Sequence, residues 1–150
     1  MIRDDVKAAQ IAAMKSGDKA TVAATRLIEA AVKNRDIELR TATSQPDDDL
    51  LVTEVLQKMI KQRRESIDMY IKGGRQELAD AEAGEIAVIE RFLPKQMSED
   101  EARAAVDALA TELGAASVKD MGRVMAALKE RFAGQMDMGK ASGLVKARLG

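Results

Sequence analysis

Residues 49–94 read DLLVTEVLQKMIKQRRESIDMYIKGGRQELADAEAGEIAVIERFLP, and the fold turns on them. Residues 50–72 carry apolar side chains at Val52, Val55, Leu56, Met59, Ile60, Ile67, Tyr70 and Ile71. At about 100° per residue they fall on one broad arc, the pattern of a helix with a single buried face. From Arg75 onward, Leu78, Ile86, Ile89 and Leu93 share a stripe that stops at Pro94. Proline cannot continue a helix and biases the residue before it away from helical angles. Between the arms, Gly73-Gly74 ends one helix and lets the chain reverse. The spacing therefore predicts an antiparallel helical hairpin.

Each stripe carries charge where an apolar residue is expected. Arg63 lies near the centre of the first arc, Glu82 lies on the second stripe, and Glu85 lies at its edge. Folding about Gly73-Gly74 brings positions equidistant from the turn level with each other, which sets Arg63 opposite both glutamates. A guanidinium withdrawn from water needs a carboxylate and further acceptors, or it costs several kcal/mol. The expectation is a structural ion pair, Arg63 with Glu82 or with Glu85, that fixes the register of the hairpin.

Upstream, Val6, Ala9, Ala13 and Met14 point one face of a first helix toward a core, with Gly17 closing it. Asp18 caps a second helix from Lys19 that buries Ala24, Leu27, Ile28 and Ala31 and runs to about Leu39. A polar segment ending at Pro46 reads as a loop, and Asp47-Asp48-Asp49 places acids where the dipole of the next helix favours them. Nothing near those three aspartates completes the oxygen cage of a cation site. Downstream of Pro94, Ser98 and Glu101 form a capping box, and the helix they start carries Ala102, Ala105, Val106 and Leu109 to Leu113-Gly114. Ser117 is expected to cap a second short helix through Val124, Met125, Leu128 and Phe132 to Gly134. A third runs from about Gly139 to Leu149. These three short helices read as a small second domain, with boundaries at 1–95 and 96–150.

Composition agrees with an all-α chain: 46% of the 150 residues are apolar, with Tyr70, Phe92 and Phe132 the only aromatics. The absence of cysteine excludes disulfides, thiolate catalysis and zinc–thiolate sites. The absence of histidine removes the commonest general base, the commonest metal ligand and every Ser-His arrangement. No cofactor and no metal are expected. With no apolar run of membrane length and no secretory core near Met1, a cytoplasmic protein that does not engage membranes is the expectation. The net charge of −1 hides an uneven distribution. From Gly114 on, seven bases (Lys119, Arg123, Lys129, Arg131, Lys140, Lys146, Arg148) face three acids (Asp120, Glu130, Asp137), leaving about +4. That is the one stretch whose charge points to an anionic partner.

No active-site motif is present. Gly139-Lys140-Ala141-Ser142 lacks both the earlier glycine and the buried strand of a phosphate loop, and Ser66 and Tyr70 have no base beside them. A family resemblance adds to this reading. Lys61-Gln62-Arg63-Arg64-Glu65-Ser66, Gly73-Gly74-Arg75, Glu85-Ile86 and Phe92-Leu93-Pro94 resemble the N-terminal domain of YqeY-type proteins, and Asp120-Met121-Gly122-Arg123-Val124-Met125 resembles their C-terminal domain. That second domain is also similar to the tail of the GatB subunit of glutamine-dependent aspartyl/glutamyl-tRNA amidotransferase.

The resemblance implies an N-terminal bundle of about four helices, including the long hairpin, and a C-terminal three-helix domain. It implies an accessory role linked to glutamine-dependent carbon–nitrogen ligase activity, with a grip on tRNA, whereas a chain without His, Cys, a nucleotide loop or a nucleophile–base pair has little with which to catalyse alone. The implied partners are tRNA, or an amidotransferase or synthetase component. Arg123, Lys129, Lys140, Lys146 and Arg148 are the candidates for tRNA phosphates, without base readout because no aromatics lie among them. In one place the chain departs from the pattern. A Lys-Gly-Lys or Lys-Gly-Arg turn is typical before the last helix, and here Ala133-Gly134-Gln135 keeps the glycine and loses both bases. The alternative is a protein–protein interaction module without nucleic-acid binding, using Met121, Met125 and above all the loop residues Met136 and Met138.

Overall fold

The computed structural model describes residues 1–150 as seven α-helices without a β-strand. Helices α1 (Ile2–Ser16), α2 (Lys19–Glu38), α3 (Asp48–Lys72) and α4 (Gln76–Glu90) precede α5 (Glu99–Glu112), α6 (Met121–Phe132) and α7 (Met138–Leu149). They form two compact units, Met1–Leu93 and Pro94–Gly150. The break falls two residues before the one read from sequence, and hydrogen bonding explains the shift. Phe92 and Leu93 still pack on the first core. From Pro94 on, the chain is tied to the second unit, where Gln96 Nε2 donates to the carbonyls of Pro94 and Gly134 and the Met97 amide donates to the Gln135 carbonyl at 2.7 Å.

In the first unit, α3 and α4 make the long hairpin. Gly74 takes φ +71°, a left-handed angle that a side chain would strain, and the Arg75 amide closes the turn onto the Tyr70 carbonyl at 2.8 Å. Val52, Leu56 and Ile89 meet Ile28 of α2 in a core where each is 1% exposed or less. Burial on that scale contributes about 1.5–3 kcal/mol per large aliphatic side chain. The core occupies only the part of the hairpin remote from its turn. No residue of 61–72 is fully buried, and Met69 and Ile71 are 73% and 53% exposed. Ile71 therefore leaves the apolar face that periodicity gave it, because no third helix reaches the tip.

Three further expectations are corrected. Leu27 and Met14 are exposed, and α2 instead buries Thr21, Ala24, Thr25, Ile28 and Val32. Threonine can occupy those core positions because the Thr25 hydroxyl is satisfied inside its own helix, donating to the carbonyls of Thr21 and Val22. Helix α4 ends at Glu90, four residues before Pro94, and the segment between runs as turns. Ser117 opens a short 3-10 turn, Val118–Asp120, and α6 begins only after it.

The second unit packs α5, α6 and α7 around Val106, Ala110, Val124, Leu128 and Val145, each 1% exposed or less. Its first helix starts on the Ser98–Glu101 capping box, with both hydrogen bonds made. No helix of the chain is long and apolar enough to cross a membrane.

Candidate nucleic-acid interface

In the first unit two arginines, Arg63 and Arg3, join helices. Arg63 Nε donates to Glu85 Oε2 at 2.7 Å and lies 3.9 Å from Glu82 Oε2, while Nη1 donates to the Met59 carbonyl at 3.2 Å. Its side chain is only 15% exposed, so the stem is packed while the head keeps carboxylate and carbonyl acceptors. Of the two candidate partners, the structure makes Glu85 the hydrogen-bonded one. This is a clasp within a hairpin, tying α3 to α4.

A second clasp was not legible beforehand. Arg3 holds Asp36 with both terminal nitrogens, at 2.8 and 3.1 Å, and Asp48 through Nη2 at 2.7 Å. The Ile2 amide donates to Asp49 Oδ1 at 2.9 Å. The hydrogen bonds donated by Arg3 hold the Asp36 carboxyl below the usual carboxylate range, and the carboxylates of Asp36 and Asp48, by accepting them, raise Arg3. Sequence reading gave the aspartates before α3 only a dipole role. Asp47 does accept the Leu50 amide, whereas Asp48 and Asp49 anchor the start of α1. The signal was present as Arg3, Asp36 and Asp48 near three helix ends, but their convergence depends on tertiary packing.

The second unit uses its charges differently. All four of its arginines face acids: Arg103 with Glu99, Arg123 with Asp120, Arg131 with Glu112, and Arg148 with Asp107. None of its five lysines does, and Lys95, Lys119, Lys129, Lys140 and Lys146 are all exposed. The Arg131–Glu112 pair is bidentate at 2.7 and 2.8 Å, joins α6 to α5, and holds Glu112 below its usual range. Asp120 is fixed twice, accepting the Ala116 amide at 3.0 Å and Arg123 Nη2 at 3.0 Å. The amide is the larger cause of its lowered pKa.

This pairing revises the basic stretch counted from sequence. Glu112 and Asp107 lie on α5, outside that stretch, and neutralise two of its arginines. Counted over residues 94–150, nine bases meet eight acids, a net of +1. Of the five bases expected at phosphates, Arg123 and Arg148 are engaged, while Lys129, Lys140 and Lys146 stand free, joined by Lys119. The five do not line one helix face. Lys140 and Lys146 on α7, like Arg123 and Lys129 on α6, are separated by about 120° around their helices.

The methionine surface is also redrawn. Met136 is 6% exposed and belongs to the second core, and Met121, Met125 and Met138 pack against it. The turn that replaces Lys-Gly-Lys faces inward at its middle. Gly134 is buried at φ +80°, and its neighbours Ala133 and Gln135 are half-buried. Nowhere do three or more Asp or Glu side chains gather closely enough to hold a metal ion.

A family model described as Yqey-like protein matches residues 2–149. Among curated proteins, "Altered inheritance of mitochondria protein 41, mitochondrial" of Eremothecium gossypii is 32% identical over 114 residues, covering 75% of this chain and 58% of its own. The protein of that name in Lachancea thermotolerans is 31% identical, with 75% and 57% covered. That of a Saccharomyces cerevisiae strain is 26% identical over 125 residues, with 79% and 64% covered. The chain thus spans less than two thirds of the length of these relatives. Their names overturn the expectation of a cytoplasmic location and point to the mitochondrion for the relatives. That expectation rested on missing apolar segments, which do not report a compartment.

Proposed function

The chain belongs to the YqeY-like family, and from that premise we propose that it is an RNA-contacting accessory module, with tRNA as the RNA and no chemistry of its own. The observation that carries this reading is the sorting of cations in the second unit. Its arginines are matched to carboxylates, and its lysines are left exposed without an ion pair. Unpaired ammonium groups bind phosphate by releasing counterions, independently of sequence, and need no preformed pocket. Lys119, Lys129, Lys140 and Lys146 are the groups this reading assigns to phosphates. The resemblance of this unit to an amidotransferase tail supplies the choice of tRNA and the place beside a glutamine-dependent carbon–nitrogen ligase. A net charge of only +1 across the unit makes the grip weak and sensitive to salt.

The test is binding of the purified protein to unfractionated tRNA across a salt series, beside Lys119→Ala/Lys146→Ala. Micromolar affinity is expected, falling steeply with salt. The double variant should flatten the log–log slope by about 1.4–1.8, at roughly 0.7–0.9 per phosphate contact. No binding at low salt removes tRNA as a direct ligand. The second reading, a protein-docking module, would then rest on the exposed Met69 and Ile71 of α3, since the methionines of the second unit are packed.

A further inference from the structure

The arginine pairs of the second unit are not equivalent. Arg131 grips Glu112 with two hydrogen bonds, and the partner of Arg123 is itself pinned by the Ala116 amide. Arg148 differs from both. Its Nε lies 3.3 Å from Asp107 Oδ1 without forming a hydrogen bond, and neither of its terminal nitrogens has a partner. The two side chains are 41% and 53% exposed, and the Asp107 carboxylate accepts no hydrogen bond from any other group. A pair so placed contributes little to stability, and its two members exchange readily with water and ions. A nucleic-acid phosphodiester offers the guanidinium what the carboxylate offers, one negative charge on two oxygens that accept in bidentate geometry.

Position strengthens the argument. Arg148 and Lys146 occupy the last turn of α7, and that end of the helix packs on the 3-10 turn that carries Lys119. Lys146 leaves the helix about 160° away from Arg148, so the two would hold different phosphates, and Arg148 is the one arginine of the unit whose fork is open.

Resting on the phosphate-binding reading above, we infer that Asp107 is a built-in competitor for nucleic-acid phosphate: it occupies Arg148 in the free protein, and the bound phosphate displaces it. The site is then self-limited by one carboxylate, and affinity rises when that carboxylate is neutralised.

The experiment compares tRNA affinity at one low salt concentration for the full chain and for Asp107→Asn, Glu130→Gln, Arg148→Ala and Asp107→Asn/Arg148→Ala. Glu130 is exposed and forms no ion pair, so Glu130→Gln is the matched loss of one negative charge at a site that does not face Arg148. Asp107→Asn is expected to tighten binding about two- to fivefold, the scale of one exposed ion pair, and by more than Glu130→Gln. The gain should vanish when Arg148 is also removed. Equal effects of Asp107→Asn and Glu130→Gln, or a gain that survives in the double variant, overturn the inference. If the lysine variants weaken binding while Asp107→Asn changes nothing, the phosphate reading stands and the competitor fails. If the full chain does not bind tRNA at all, both fall. Melting curves for each variant guard against misfolding, and Asp107 makes no capping bond that the substitution would break.

Discussion

The two units withdraw their ion pairs from water to different degrees. In Met1–Leu93, Arg3 and Arg63 each reach across helices to more than one acceptor, and Arg63 does so with only 15% of its side chain exposed. In Pro94–Gly150 every pair has an arginine at least 41% exposed, and lysines form no ion pair in either unit. A larger unit with a protruding hairpin needs polar clasps where its apolar core runs out. A small three-helix unit depends on its apolar core, and its surface charge is left for other work. If that contrast is right, the two units should fail in different ways when perturbed.

The largest effect is expected in the second core. Leu128 is fully buried against Val106, Val124 and Val145. Leu128→Ala removes transfer energy and leaves a cavity, at about 2–5 kcal/mol. A unit spanning residues 94–150 has roughly 3–8 kcal/mol to lose, at about 0.05–0.15 kcal/mol per residue. Amide exchange should show protection collapsing across 94–150 while 1–93 stays protected. Loss of protection across both would break the division into two units.

A smaller effect is expected at the hairpin clasp. Arg63→Ala removes the bond to Glu85 and the packing of the arginine stem, at about 1–2 kcal/mol given that Glu85 is 38% exposed and can rehydrate. Urea denaturation would show it as a lower midpoint at unchanged slope. Arg63→Met, which keeps much of the stem, should recover part of the loss. Arg131→Ala is the matched change in the second unit and should leave the midpoint within error. A drop equal to that of Arg63→Ala would erase the contrast between buried and surface charge.

The clasps also mark how far the sequence could be read. Helix periodicity, Gly73-Gly74 and the Ser98–Glu101 box are local signals, so the helices and the hairpin were legible within a few residues. Arg63 facing Glu82 and Glu85 was legible too, because a hairpin turn fixes register by counting. Arg3 with Asp36 and Asp48 was not, because three helix ends meet there only after packing. The same limit misled the count of basic residues: Asp107 and Glu112 come from α5, and sequence distance hid their pairing with Arg148 and Arg131. Met136 looked like a loop residue and is core, since the short α6–α7 connection folds inward over the unit. Charge along the chain could therefore be counted, but charge available to a partner could be assigned only from the fold.

The smallest effect sharpens the contrast through pH. The hydrogen bonds to Arg3 lower the Asp36 carboxyl from its ordinary value of 3.8. A carboxyl whose folded pKa is depressed adds stability that is fully present above the unfolded value and is lost as pH falls through the folded one. The first unit should accordingly lose stability below about pH 4, beyond what general charge repulsion produces, and Arg3→Ala should flatten that dependence. With Arg3 and Asp36 each 40% exposed, solvent screens the pair and the change in slope is modest. Urea midpoints of the full chain and of Arg3→Ala, taken between pH 3 and pH 6, measure it. Parallel curves would mean that the Arg3 clasp only positions α1, and that the first unit is held by its apolar core and the Arg63 pair.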